Sequence, residues 1–130
     1  MKTTMAKAIG AALLGMTLFC NHAAWAGYLS SSGEVYIGSN FASGAMNAVR
    51  YSSDWKQYIG CRGRGYSSGS FYISCGARDK NGKYGSCSTY DINLLESLKT
   101  LSPSSSITFE WNSSGKCQVI DIDNRSYFLR

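Results

Sequence analysis

Apolar and polar residues alternate along several stretches of this chain, and such alternation predicts β-strands with one buried face. The clearest case is residues 107–111, where Ile107, Phe109 and Trp111 alternate with polar side chains. Clusters of Gly, Ser, Asn and Asp separate the stretches and indicate turns. The predicted strands are residues 34–38, 47–51, 56–62, 70–77, 83–88, 107–111, 117–122 and 125–129. The pattern therefore predicts an antiparallel sheet of about seven short strands, curled or closed into a small barrel.

One segment, residues 91–101, has helical periodicity instead. Its apolar stripe consists of Ile92, Leu94, Leu95, Leu98 and Leu101. Asp91 can cap the first turn, and Pro103 stops the helix. Because so short a helix is marginal on its own, we expect its stripe to pack against the sheet. The predicted fold class is mainly β (α+β), with one packed α-helix.

The first 26 residues have the organisation of an export signal. A short positive region with two lysines precedes an apolar run at residues 9–19, and Ala-Trp-Ala at residues 24–26 is a small-x-small cleavage pattern. The run is too short to span a bilayer. Cys20 raises the alternative of a lipoprotein, but Phe19 occupies a position where a small residue is expected. We therefore expect residues 1–26 to be removed and the protein to be periplasmic or secreted.

Removal of this leader would leave residues 27–130, which is long enough for one domain. This mature chain keeps 11 of the 13 Lys and Arg residues against 8 Asp and Glu, a net charge of +3. So mild a basic excess suits an anionic glycan, an envelope surface or an acidic protein partner. An exported location disfavours a nucleic-acid partner, and no membrane span is predicted in the mature chain.

An even number of cysteines in a small exported domain predicts disulfides. The mature chain contains Cys61, Cys75, Cys87 and Cys117. Zinc is the competing explanation, but no two of these cysteines lie within four residues of each other and the mature chain has no histidine. We therefore expect two disulfides and no bound metal.

The pairing of the cysteines follows from the predicted strand faces. A hairpin that turns near residues 66–69 places Cys61 opposite Cys75. The Asn-Gly pair at residues 81–82 is a two-residue turn signal, and its register would put Cys75 and Cys87 on opposite faces. The favoured pairs among the three possible connectivities are Cys61–Cys75 and Cys87–Cys117.

The register of the hairpin formed by residues 107–111 and 117–122 is predicted from which side chains each register would bury. Pairing Asn112 with Cys117 places Ile120 beside Phe109, whereas a shift by one residue would bury Asp121. An unpaired buried carboxylate costs several kcal/mol, so the first register is predicted.

Histidine-based catalysis is excluded for the mature chain, because the single histidine, His22, lies in the predicted leader. Disulfides would also remove a thiol nucleophile. Three carboxylates on adjacent strands, Glu110, Asp121 and Asp123, could act as acid and base on a glycosidic bond, but their spacing is not specific to catalysis. The segment from Asp121 to Asn124 lacks the glycine and the glutamate of a calcium loop. We expect a non-enzyme without cofactor, and a small carboxylate hydrolase is the alternative.

The best candidate for a binding site is a surface of tyrosines and arginines on the first hairpins. Tyr58 and Tyr72 occupy even positions, so they face away from the apolar odd positions. Residues 62–66 form the most basic local cluster, and residues 78–83 add further cations. The candidate binding residues are Tyr58, Arg62, Arg64, Tyr66, Tyr72 and Arg78. Tyrosine beside Arg and Ser is typical of recognition surfaces, although tyrosine is also a favoured strand residue on either face.

We therefore expect a non-enzymatic, secreted or periplasmic binding domain that recognises a glycan or a protein through this sheet face and the hairpin tips. Such a protein could serve as an inhibitor, an immunity protein or a toxin-type binding subunit. The order of strands, one helix and a closing hairpin is similar in layout to oligosaccharide-binding barrels such as toxin B subunits, but a shared layout carries no function with it.

Overall fold

The computed structural model describes residues 33–125, which form two antiparallel sheets and two helices. The elements in chain order are β1 (Tyr36–Ile37), β2 (Phe41–Ala45), α1 (Met46–Arg50), β3 (Tyr58–Gly65), β4 (Phe71–Arg78), β5 (Tyr84–Thr89), α2 (Ile92–Leu98), β6 (Ser106–Trp111) and β7 (Cys117–Asp123). The first sheet has the order β1-β2-β6-β7, and the second has the order β3-β4-β5. The mainly β, disulfide-linked fold is thus confirmed, in two sheets rather than one. The predicted leader and all but the first residue of the strand predicted at residues 125–129 lie outside the described residues.

The core lies between the two sheets and contains side chains from both. Its buried cluster consists of Val35, Ile37, Ala42, Ile59, Ile73, Cys75, Ala77, Cys87, Ile107, Phe109, Cys117 and Ile120. Gly85 allows β5 to approach β6 closely, because a Cβ atom there would lie only 2.7 Å from Cη2 of Trp111. At one edge the Ser88 N–H donates to the Gly115 carbonyl at 3.1 Å, which links β5 to the turn before β7. The second sheet therefore has one face sealed by the core and the other face open.

Both predicted disulfides, Cys61–Cys75 and Cys87–Cys117, are present. The first links neighbouring strands of one sheet, and the second joins the two sheets. Part of the reasoning behind the pairing is wrong, however, because Cys75 and Cys87 are directly opposite each other and share a face. Cys117 belongs to β7 of the other sheet and bonds to Cys87 of β5. These two strands are neighbours, because Ser88 next to Cys87 is bridged to Lys116 next to Cys117.

The error lies in the turn between β4 and β5. A two-residue turn of the kind expected for Asn81-Gly82 needs positive φ at both positions, but only Gly82 has one, at +89°. The connection is longer: Asp79 N–H donates to the Lys83 carbonyl, and the Asp79 carboxylate accepts from the N–H groups of Asn81 and Lys83, both at 2.9 Å. The observed register consequently pairs Arg78 with Tyr84, one residue away from the predicted register.

Two elements near the start of the described chain also differ from the prediction. The alternation at residues 47–51 predicts a strand, but α1 occupies this stretch and buries Ala48. The strand β2 has the sequence Phe-Ala-Ser-Gly-Ala, which contains no β-branched residue and therefore gives no strand signal. Its small side chains instead permit close packing, since a Cβ atom at Gly44 would lie 3.3 Å from Val35.

The hairpin formed by β6 and β7 has the predicted register along most of its length. Phe109 is paired with Ile120, and Asp121 is exposed. A bulge after Glu110 places Trp111, rather than Asn112, opposite Cys117.

The predicted helix is present as α2 and packs on β7 and β3, but it ends at Leu98, three residues before the predicted end at Leu101. Asp91 caps it by accepting from the Asn93 N–H at 3.0 Å. Four of its stripe residues pack against the core, namely Leu94, Leu95, Leu98 and Leu101. Ile92, the first residue of the predicted stripe, lies at the first helical position and is 54% exposed. Neither helix within residues 33–125 is long and apolar enough to cross a membrane.

Candidate binding face

The open side of the β3-β4-β5 sheet carries a set of side chains that we call the Tyr/Arg face. It consists of Tyr58, Gly60, Arg62 and Arg64 of β3, Tyr72, Ser74, Gly76 and Arg78 of β4, Tyr84, Ser86 and Ser88 of β5, and Tyr90 just after β5. Every member is Tyr, Arg, Ser or Gly, since alternate residues of these strands carry the apolar side chains into the core. The face contains neither an aliphatic side chain nor a carboxylate.

Aromatic and cationic groups lie at the two ends of the Tyr/Arg face. At one end Tyr58, Arg78 and Tyr84 form a cross-strand row. The two phenol rings are 6.5 Å apart, and the guanidinium carbon of Arg78 lies 5.6 Å from the centre of the Tyr58 ring. At the other end the rings of Tyr72 and Tyr90 are 5.3 Å apart. Both ends therefore offer aromatic surface next to an arginine.

Between these ends the face has a floor of small residues. The floor residues are Gly60, Ser74, Gly76, Ser86 and Ser88. They line a depression of about 460 Å³, together with Arg62, Tyr72 and Tyr84. A second depression of about 450 Å³ adjoins it at Ser88 and Gly115 and adds Lys116 to the lining. The result is a shallow groove whose floor presents hydroxyl groups and bare backbone.

The electrostatics of the face are one-sided. Arg62, Arg64 and Arg78 are all exposed to solvent. The carboxylate that lines the adjoining depression, Asp91, accepts hydrogen bonds from the backbone and side chain of Asn93, both at 3.0 Å. Arg62 lines the groove and Lys116 the adjoining depression, so positive charge exceeds the single negative charge of Asp91 there.

Tyr58 titrates differently from an isolated tyrosine because of its neighbours. Partial burial raises its pKa, and so does the adjacent phenol of Tyr84, while the Arg78 cation opposes the shift. The phenol consequently remains protonated, and able to donate a hydrogen bond, beyond the usual range of a tyrosine.

The structure places most of the candidate residues on this face. Tyr58, Arg62, Arg64, Tyr72 and Arg78 belong to it, whereas Tyr66 lies in the turn that connects β3 to β4 and is 46% exposed. The cations of the next turn point elsewhere. Lys80 pairs with Glu34 at 2.9 Å, and Lys83 donates to the Ile37 carbonyl at 2.7 Å. Sequence reasoning missed Tyr84, Tyr90 and the small-residue floor.

The most exposed aromatic residue of residues 33–125 lies outside the face. Trp55 is 90% exposed in the loop before β3. This loop is held by the Asp54 carboxylate, which accepts from the N–H groups of Lys56 at 2.9 Å and Gln57 at 2.8 Å. A hydrogen bond from the Gln57 side chain is the main reason why the pKa of Asp54 is lowered.

The three carboxylates weighed for catalysis lie on the other sheet. Glu110 is opposite Val119, and Asp121 is opposite Thr108, both on the solvent side of β6 and β7. Asp123 accepts a hydrogen bond from Nε of Arg125 at 2.9 Å. These groups are spread along a strand pair and are separate from the Tyr/Arg face.

The cysteine sulfurs are the described groups whose spacing suits a metal. The sulfur atoms of Cys75, Cys87 and Cys117 lie within 4.8 Å of one another. Each of them is engaged in a disulfide, so none offers the thiolate that zinc requires.

No family model matches this chain, and comparisons with curated proteins and with solved structures find no match. What the protein binds has to be inferred from the geometry and charge of the Tyr/Arg face.

Proposed function

We propose that this protein is an exported, non-enzymatic binding domain that recognises its partner through the Tyr/Arg face. The composition of that face is the observation that carries the proposal. Tyrosine, serine and glycine with added arginine is the composition of antibody paratopes, where rigid aromatic rings supply contact area and small polar residues supply adaptable hydrogen bonds. Here the same residue types are fixed on a disulfide-linked sheet, which lowers the entropy cost of binding.

The two disulfides support a site of action outside the cytosol. Structural disulfides form and persist in oxidising compartments and are rare where thiols are kept reduced. The sequence of residues 1–26 has the organisation of an export signal, which agrees with that location. In such a compartment the partner is a glycan or a protein, and the protein acts as a carbohydrate binder, an inhibitor, an immunity protein or a toxin-type binding subunit.

A carboxylate hydrolase is the less supported alternative. Glu110 and Asp121 lie in a different sheet from the groove. The residue paired with Glu110 across the strands is Val119, which is apolar. If the two carboxylates were catalytic, Glu110→Gln or Asp121→Asn would abolish turnover. If the protein is a binding domain, the same two substitutions should leave partner binding unchanged.

Alanine substitutions on the face test the proposal. The disulfide-intact protein is immobilised and exposed separately to the polysaccharide fraction and the protein fraction of the envelope. We expect one fraction to bind, and Tyr58→Ala, Tyr72→Ala and Arg64→Ala each to weaken binding about tenfold, as expected for loss of an aromatic or arginine contact that contributes strongly to binding. The control variant, Gln118→Ala, changes an exposed residue of β7 and should bind as the unaltered protein does. Unchanged binding in all three face variants, with circular dichroism showing them folded, would remove the face from consideration.

A further inference from the structure

We propose that the groove of the Tyr/Arg face binds a linear acidic oligosaccharide, which lies along the strands over the glycine floor with its anionic groups at the arginines. This inference rests on the proposed function and adds the chemical class of the ligand. The arguments come from the floor, the length of the groove and the groups that line it.

Two glycines face each other at the centre of the floor. Gly60 of β3 is paired directly with Gly76 of β4. Glycine weakens a strand interior, because it has no side chain to pack and loses the most conformational freedom on folding. A pair of glycines in the middle of a sheet therefore needs a reason.

Steric crowding does not require either glycine. A Cβ atom at Gly60 would meet nothing within 4 Å, and one at Gly76 would lie 3.7–3.8 Å from the side chains of Tyr58 and Tyr84, which partly cover Gly76. Neither glycine has a positive φ, in contrast to Gly82. The space above Gly60 is open, and a strand glycine in such a place lets a ligand approach the backbone closely.

The groove is long, since its lining reaches from Tyr72 to Tyr84. From Arg78 to Tyr72 the strand β4 advances six residues, which corresponds to about 20 Å at the rise of a β-strand. Aromatic rings stand at both ends, and small residues lie between them. A short oligosaccharide fits this outline, whereas a single sugar would occupy only part of it.

The lining matches a hydroxyl-rich, anionic ligand. Serine hydroxyls and tyrosine phenols offer both donors and acceptors, and arginine forms paired hydrogen bonds with a carboxylate. A protein partner of standard size would instead contact about 20–30 residues, whereas twelve residues line the depression on this face.

Isothermal titration calorimetry of the disulfide-intact protein tests the ligand class. The probes are tetragalacturonate, its fully methyl-esterified neutral form, and an eight-residue oligothymidylate. We expect the acid to bind about tenfold or more tightly than the ester, since a hydrogen bond to a charged group contributes roughly this factor. Arg62→Ala and Arg78→Ala should each reduce that preference, and Arg62→Lys should retain part of it. Equal affinity for acid and ester, or tighter binding of the oligothymidylate, would overturn the acidic oligosaccharide.

A valine substitution in the floor tests the position of the site independently of the ligand class. Gly60→Val should abolish binding of tetragalacturonate without lowering the melting temperature, because valine is a favoured strand residue and the space above Gly60 is open. Gln118→Val on β7 is the matched control and should bind normally. If neither galacturonate probe binds, the inferred ligand class fails while the proposed function stands on its own test. If the acid binds but Gly60→Val binds it equally well, the site on this face is overturned too.

Discussion

Among single residues, Tyr58 reports most directly on the electrostatics of the face. Its phenol lies near a second phenol and a guanidinium, and its pKa is raised by partial burial and by Tyr84 but lowered by Arg78. Because the folded-state pKa lies above the ordinary value of 10.0, the native state favours the protonated phenol. The associated stability is present below pH 10 and is lost as the pH rises through the raised pKa.

This arrangement gives a prediction about Arg78. Arg78→Ala removes the cation that opposes the shift, so the pKa of Tyr58 should rise further. Carbon-13 NMR of labelled tyrosines measures the titration, with Tyr58→Phe to assign the signal. Lys80→Ala removes a neighbouring cation that pairs with Glu34 instead, and should leave the titration of Tyr58 unaltered. A fall in the Tyr58 pKa on Arg78→Ala would contradict the described contact.

Strand parity in the sequence is enough to predict where several face residues lie. Tyr58, Arg62 and Tyr72 could be placed on the outward side because the odd positions of the same strands are apolar. Tyr84 could not, because the register predicted from residues 81–82 directs it inward. The same parity places Gly60 and Gly76 on the outward side, but glycine alone does not indicate a binding floor, since it occurs on either side of a strand.

At the scale of elements, the turn between β4 and β5 determines which residues reach the face. Asn81-Gly82 is compatible both with a two-residue turn and with a longer turn that needs positive φ only at the glycine. These alternatives differ by one residue, and such a shift moves every side chain of the following strand to the other face. The local sequence does not distinguish the two turns. Cys87 and Thr89 are buried in the core, and only the longer turn gives the register that directs them there.

The observed turn gives a prediction that distinguishes the two forms. Gly82→Ala should lower the free energy of unfolding by about 1 kcal/mol, because alanine is strained at positive φ. Asn81→Ala should be nearly neutral, since Asn81 does not adopt positive φ. Chemical denaturation of both variants measures the difference. A comparable loss in Asn81→Ala would indicate the two-residue turn.

At the scale of the whole molecule, the two sheets differ in charge as well as in sequence pattern. The open side of β3-β4-β5 bears three arginines, whereas the solvent side of β6 and β7 bears Glu110 and Asp121. The split into two sheets could not be predicted, because β2 carries no strand signal and its place between β1 and β6 is set by packing. The disulfide between Cys87 and Cys117 joins the two sheets.

Removing each disulfide should affect stability to a different extent. The Cys87–Cys117 bond closes a separation of 30 residues and the Cys61–Cys75 bond one of 14. On the chain-entropy estimate their loss costs about 4 and about 3 kcal/mol respectively. Paired Cys→Ala variants, compared by denaturant unfolding, measure both. A larger loss from the pair with the shorter separation would contradict the role of the second disulfide as the main link between the sheets.

The location of the binding site is the central claim, and a map of backbone amide shifts by nitrogen-15 NMR during titration with tetragalacturonate tests it most directly. We expect saturable shifts that are largest at Gly60, Gly76 and Ser86. The outward residues of β6 and β7 should remain unchanged. Shifts centred on Thr108 and Asp121, with Gly60 and Gly76 unmoved, would contradict it.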